Sequence, residues 1–537
     1  VALVVLLALT LTSLTPLALA SDKAKEKSNS AALATPPAAS VDSITPSELK
    51  LNLSFLASEE FGGRYTLSPQ FLVAAKYLAT RLEAYGYKGA SNGSFFQKFD
   101  ISKSKADTAN TKLTLSLNSE NVEIGYGDFL TNAPQSGTAE GKIVFVGYGV
   151  SAPKLGHDDY AGLDVKGKIV FYVRGIPKGL DASKIDDSEQ AMGAAKAHGA
   201  AGTISLLSAN FLQFMARPGA KERVMQREIT GLADAGKDNI PDAVVMPTAA
   251  TKLLDMVGLT SDKAYEIAAK HDDFPASKEL NARGSLKLVV NRTLVSVQNV
   301  AGILDGTDPK LKNEYVVFSG HYDHLQTDAG GIYPGADDDG SGTVSTLAIA
   351  RAMSMNPPKR SVLIIFHAGE ELGLLGSEYN TDYSPVVPLD KLVVDLNIDM
   401  IGREQKPGDP VYVDARQNNG YTTPPDGVFV VGANRISKEL HNISEQTNND
   451  YAHLKLDYHY NDPNEASRIY FRSDHWNYAK HGVPIIFYFT GVHADYHQHT
   501  DTVDKIDFDK MAHIAKFVYE TGWRVANLDH RLAIDAK

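Results

Sequence analysis

Short unbroken apolar runs recur along the second half of the chain, at Tyr315–Ser319, Val362–Phe366, Leu392–Ile398 and Pro484–Phe489. Runs of this length without polar alternation predict strands buried on both faces. The stretches between them have helical spacing; after Gly340, the residues Val344, Leu347, Ala348 and Ala352 fall on one face. Strands alternating with helices predict an α/β fold, a mostly parallel mixed sheet sandwiched by helices. Upstream, Thr45-Pro-Ser-Glu48 is a capped helix start. Phe71, Ala75, Leu78, Leu82 and Tyr85 mark a second helix that Gly86 ends, and weak strands follow to about residue 130.

From residue 131 the texture changes. Gly141-Lys-Ile-Val-Phe-Val146 and Gly167-Lys-Ile-Val-Phe-Tyr-Val173 are near-identical strand openings, followed by a helix around Ala191–His198 and a buried strand in Gly199–Leu206. This stretch, roughly 131–258, resembles a protease-associated domain, an insert found in secreted and vacuolar peptidases; a generic small β-rich domain is the alternative. The expected organisation is a peptidase-type domain begun over 46–130, an insert and connection over 131–284, and the catalytic part over 285–530.

Charge and composition narrow the partners. A net charge of −12 and the lack of any Lys/Arg block argue against nucleic acid. Residues 1–20 are an apolar stretch ending in Ala18-Leu19-Ala20, the h-region and cleavage site of a signal peptide, so a secreted or periplasmic protein cut after Ala20 is expected. No later stretch is apolar enough to span a bilayer, and no membrane association is expected after cleavage. Residues 21–45, rich in Ala, Ser, Lys and Pro, are expected to be disordered. The chain has no cysteine, which rules out disulfides and thiol catalysis and restricts any zinc site to His, Asp and Glu.

Functional groups in open α/β sheets gather beyond the carboxyl ends of the strands. Those positions hold Gly320-His321-Tyr-Asp323-His324, the loop Pro334-Gly-Ala-Asp-Asp-Asp-Gly-Ser-Gly342, the pair Glu370-Glu371, Asp399-Met-Ile-Gly-Arg403, and His493-Ala-Asp-Tyr-His497-Gln-His-Thr-Asp501-Thr502. Buried carboxylates need compensating charge. Imidazoles and carboxylates without thiolates suit a catalytic Zn²⁺ or similar divalent ion, and one bridging carboxylate would let two ions sit about 3.5–4 Å apart.

The ordered set His-Tyr-Asp, Pro-Gly-Ala-Asp-Asp-Asp-Gly-Ser-Gly, Gly-Glu-Glu-Leu-Gly-Leu-Leu-Gly-Ser, Asn-Ile-Asp-Met-Ile-Gly-Arg and Asp-Tyr-His-x-x-x-Asp-Thr resembles the co-catalytic di-zinc exopeptidases of metallopeptidase family twenty-eight. The resemblance covers about 46–130 and 290–530, and implies the zinc exopeptidase fold with two Zn²⁺ per chain. It implies that Asp338 bridges the ions, that His321 and Asp399 complete one and Glu371 and His497 the other, and that Glu370 is the general base. It further implies that Asp323 hydrogen-bonds His321, that Tyr470 helps polarise the substrate carbonyl, and that a non-proline cis peptide joins Asp338 to Asp339. His493 and His499 compete with His497, which has the family spacing to Asp501-Thr502. His324, His367, His475 and His481 read as ordinary hydrogen-bonded or surface residues.

The implied activity is that of an aminopeptidase acting on peptide substrates. Within the class the alternative is a glutamate-releasing carboxypeptidase, for which Arg403, Arg468 and Arg472 are candidate carboxylate binders. A one-zinc glutaminyl cyclase fits the five-ligand set less well. From another class comes a metal-free binding protein of the same fold. Side-chain preference, native metal and oligomeric state are not expressed in the sequence.

Overall fold

The structure is a computed structural model that describes residues 33–117, 120–180, 185–406, 409, 423–462, 465 and 467–535. The expected leader therefore lies outside the described residues. Two large sheets divide the chain. In the larger one, strands Tyr315–His321, Ser361–His367, Leu392–Ile398 and Ile485–Phe489 lie side by side and parallel, with Tyr315–His321 between Ser361–His367 and Leu392–Ile398. Antiparallel strands flank them, including the long pair Phe96–Ala106 and Val290–Leu304.

The unbroken apolar runs have a direct cause. In Ser361–His367, Val362, Ile364 and Phe366 enter the core on one face of the sheet, while Leu363 and Ile365 enter the core on the other. Each such side chain removed from water contributes about 1.5–3 kcal/mol. Helices Pro46–Leu56, Pro69–Ala84, Gly342–Met355 and Phe508–Ala526 supply residues to the first core. Thr45 and Ser68 cap the first two by accepting from the Glu48 and Phe71 amides, with proline at the first helical position in both.

The second sheet has eight strands and its own core. It contains the paired parallel strands Gly137–Phe145, Ile169–Val173 and Gly202–Leu206 that the repeated openings predict. It also takes in Lys112–Leu117, Glu120–Ile124 and Phe129–Leu130, so the insert begins near residue 112 rather than 131. These strands alternate like any half-buried strand, and alternation does not say which sheet a strand joins.

A further difference concerns residues 21–45. Ala38–Ser43 is helical; Ser40 is fully buried, and its hydroxyl and the Ser43 carbonyl are held by Asn356 and Arg351. At Ser40 and Ser43 polar groups thus serve packing against the helix Gly342–Met355 and its C-terminal Asn356.

Candidate metal centre

Four adjacent parallel strands end at one rim, and each turn there delivers a polar side chain inward. His321 closes the first strand, and Asp399 follows Ile398 at the end of the third. Glu370 and Glu371 follow Gly369, whose φ of +69° starts a tight turn closed by the Gly373 and Leu374 amides donating to the Glu370 carbonyl. His497 comes from the loop after Ile485–Phe489 and is itself left-handed, with φ of 55°.

The three consecutive aspartates divide their work. Asp337 accepts from the Gly402 amide at 2.6 Å and faces His493 at 3.2 Å. Asp339 accepts from the His321, Gly342 and Met400 amides, tying three strand-end segments together. Gly342 is required for this: a Cβ there would lie 2.3 Å from the Asp339 carboxylate. Asp501 in turn accepts from the Asp337 and Asp338 amides. Asp338 alone keeps its carboxylate for the interior, and the peptide joining it to Asp339 is cis.

Around Asp338 imidazoles and carboxylates converge. Its Oδ1 lies 3.5 Å from His321 Nε2, and its Oδ2 lies 3.1 Å from His497 Nε2. His321 Nε2 is also 3.6 Å from Asp399 Oδ1 and 3.8 Å from Glu370 Oε2, while His497 Nε2 is 3.3 Å from Glu371 Oε2. His321 Nε2, Asp338 Oδ2 and Asp399 Oδ1 are buried and make no hydrogen bond among the described residues. Ligands of one tetrahedral ion bonded at about 2.0–2.2 Å stand about 3.3–3.6 Å apart. The residues present therefore fit a divalent cation on each side of Asp338.

Electrostatics point the same way. Burial pulls His321 down, yet the charges of Glu370 and Asp399 hold it well above the ordinary imidazole range. Burial likewise opposes protonation of His497, and Asp338 and Glu371 push it up to about 10. Glu370 is raised well above a normal carboxyl, by burial first and by Glu371 and Asp399 on the far side of His321's opposing charge. The pocket holds more negative charge than it can compensate and draws in positive charge.

By proximity alone, two buried groups could hold an ion: His321, Asp339 and Asp399, and His324, Asp338 and Glu371. Asp339 is already saturated by three backbone amides, which leaves Asp338 as the carboxylate open to His321. His324 Nδ1 lies 2.8 Å from Glu371 Oε1 and turns the other oxygen of Glu371 toward His497. Of the competing histidines, His493 pairs with Asp337 and His499 with Asp328 at 3.0 Å. A cavity of about 180 Å³ beside Arg174 and Arg227 has no carboxylate or imidazole among the described residues lining it.

Residues 299–522 match the family model described as Peptidase family M28. Over those residues, less than half of its length, the chain is similar to peptidase family M28. Among similar proteins are a "probable leucine aminopeptidase 2" of Aspergillus oryzae, 40% identical over 21% of this chain and 20% of its own length, and Aminopeptidase YwaD of Bacillus subtilis, 33% identical over 27% of this chain and 30% of its own. The chain thus spans less than a third of the length of either relative. An aminopeptidase structure from an Aneurinibacillus species is 19% identical, covering 93% of this chain and 97% of that one, with a TM-score of 0.49.

Two expected roles meet different or additional atoms in the structure. Asp323 faces His321 Nδ1 with its backbone carbonyl at 3.1 Å and with its carboxylate at 3.6 Å, and that carboxylate also accepts from the Thr66 hydroxyl and the Glu370 amide. Tyr470 packs under the Arg435 guanidinium, 3.8 Å from the ring centroid, and is not among the residues lining the cavity beside Glu370. The tyrosine that lines it is Tyr496, stacked on His497 with centroids 3.8 Å apart. Sequence reasoning also passed over Arg64. This fully buried arginine donates to the carbonyls of Leu56, Tyr322, Pro334 and Gly335, joining the His321 and Asp338 turns. The Gly-Gly-Arg sequence was its one visible signal, since left-handed glycines at 62 and 63 bend the chain inward there.

Proposed function

We propose that the chain is a secreted aminopeptidase that binds two zinc ions per chain and removes the N-terminal residue of peptides. One observation carries this reading: the two oxygens of Asp338 face two different imidazoles, His321 and His497, each with a further carboxylate beside it. In this reading Asp338 bridges, His321 and Asp399 hold one ion, and Glu371 and His497 hold the other. The similar proteins named as aminopeptidases, and the apolar leader at residues 1–20, support the direction of cleavage and the export.

Bound zinc would supply Lewis acidity, making a water nucleophilic near neutral pH and stabilising negative charge on the carbonyl oxygen. Glu370 accepts the proton of the attacking water and returns it to the leaving amine. The Asp323 carboxylate holds the Glu370 amide at 3.2 Å, and His324 holds Glu371, so the adjacent acids face different parts of the site.

The test uses the purified full chain with leucine p-nitroanilide and small peptides. Hydrolysis that requires a free amino terminus, stops on chelation and returns with zinc supports the reading. Release of C-terminal glutamate from N-acylated peptides would replace it with the carboxypeptidase. Neither activity and no bound zinc would leave a binding protein.

A further inference from the structure

One buried cation near the metal centre comes from outside the strands that carry its carboxylates and imidazoles. Arg64 is 1% exposed and follows Gly62 and Gly63; all three residues are left-handed, with φ of 55°, 54° and 82°. Glycine is required at 63, because a Cβ there would stand 2.6 Å from the Leu325 carbonyl oxygen and 2.7 Å from that of Tyr333. The segment is thereby wedged between the loop leaving His321 and the loop approaching Asp338.

A buried guanidinium is costly unless its N–H groups are satisfied. Each hydrogen bond that Arg64 donates among the described residues goes to a backbone carbonyl. Nε donates to Tyr322 at 3.1 Å, one terminal nitrogen to Leu56 at 3.1 Å and Pro334 at 2.7 Å, and the other to Gly335 at 2.9 Å. Tyr322 separates His321 from Asp323. Gly335 lies three residues before Asp338 in a turn closed on itself. There the Gly340 amide donates to the Gly335 carbonyl at 3.2 Å, and a Cβ on Gly335 would stand 2.3 Å from the Asp338 carbonyl oxygen. A shift at Tyr322 therefore moves His321, and a shift at Gly335 moves Asp338. One planar fork spans both turns, beneath the His321 Nε2 and Asp338 Oδ1 that stand 3.5 Å apart.

We infer that Arg64 is a positioning residue for the metal centre: its guanidinium sets the separation of His321 and Asp338, and with it the fit of a divalent ion between them. The inference rests on the zinc reading of the site. The charge of Arg64 alone would act in the opposite sense. A fixed positive charge coupled to Asp339 and Asp338 opposes an incoming cation, so its removal would strengthen zinc binding. Removing the fork instead takes the donors from buried carbonyls and frees both turns, which weakens zinc binding. Lysine separates the two effects: it keeps the charge but presents its donors from a single atom, which cannot reproduce a planar fork spanning two loops.

The experiment compares the full chain with Arg64→Lys and Arg64→Met. Zinc affinity is measured against a competing chelator, and the geometry around the ion is read from the visible absorption of the cobalt(II)-loaded proteins. Both variants should bind zinc about 10–100-fold more weakly than the wild type and show shifted cobalt bands. At saturating zinc, kcat for leucine p-nitroanilide should fall by up to about 10²-fold in both. Melting of the metal-free proteins checks that each variant is folded; if Arg64→Met does not fold, Arg64→Lys carries the test. Affinity unchanged or strengthened in Arg64→Met, or wild-type affinity and cobalt bands in Arg64→Lys, would overturn the inference while leaving the zinc reading standing. A wild type that binds neither zinc nor cobalt would instead remove the reading beneath it.

Discussion

At the scale of single residues, the site separates neighbours that look alike in sequence. Glu370 and Glu371 are adjacent carboxylates, but one lies 3.8 Å from His321 and the other within reach of both His497 and His324. Glu370→Gln should lower kcat by about 10²–10⁴-fold while zinc content by metal analysis stays near that of the wild type. In the wild type, kcat/KM should fall on the acid side as Glu370 takes up its proton. His324→Ala tests a subtler role. If His324 only orients Glu371, zinc affinity measured against a competing chelator should fall about 10–100-fold; outright loss of one ion would make it a ligand. Which residues cluster was legible, because strand ends are where an α/β sheet collects chemistry. Which atom each residue presents was not. Asp323 uses its backbone carbonyl toward His321, and Asp337 and Asp339 spend their carboxylates on amides, and neither choice leaves any periodic mark in sequence.

At the scale of elements, the four site-bearing strands and the helix after Gly340 could be read because both faces of each strand are buried. The strands Gly427–Val431 and Lys455–Asp457 were not singled out, being short and lying at the sheet margin. The closing helix Phe508–Ala526 shows how burial overrides polarity. Its Glu520 is only 5% exposed, and burial raises it to about 7 against the opposing charges of Arg524 and Lys516. A carboxyl raised in the folded state holds a proton that the unfolded chain has already released. Its contribution to stability is therefore full below about pH 4.3 and is lost as pH rises through about 7. Glu520→Gln removes that loss. Thermal melts should show the variant gaining on the order of 1–3 °C over the wild type at pH 8 and nothing at pH 4. An equal gain at both pH values would assign the effect to packing.

At the scale of the whole molecule, the insert is attached in a way that makes it separable. Ala106 and Val290 are register partners in the antiparallel pair Phe96–Ala106 and Val290–Leu304, so the chain leaves and rejoins the large sheet at neighbouring points. Replacing residues 107–289 with Asn-Gly would close that pair as an ordinary hairpin. The four parallel strands and the carboxylates and imidazoles at their ends lie outside the excised segment. The shortened chain should keep zinc and hydrolyse small anilides. It also loses Ile229–Leu232, which pairs with Ile101–Ser104 along the margin of the large sheet. Phe96–Ala106 would then become an open edge carrying unpaired amides, a template for pairing with a second copy. Size-exclusion chromatography should accordingly show self-association that the full chain does not show at the same concentration. Placing Lys at Ser102, which is 2% exposed beneath that strand in the intact protein, should reduce the association in the shortened chain by putting charge on the new edge. Loss of zinc on excision would mean that the insert supports the metal centre itself, and a monodisperse monomer would mean that its strand is not what protects the edge.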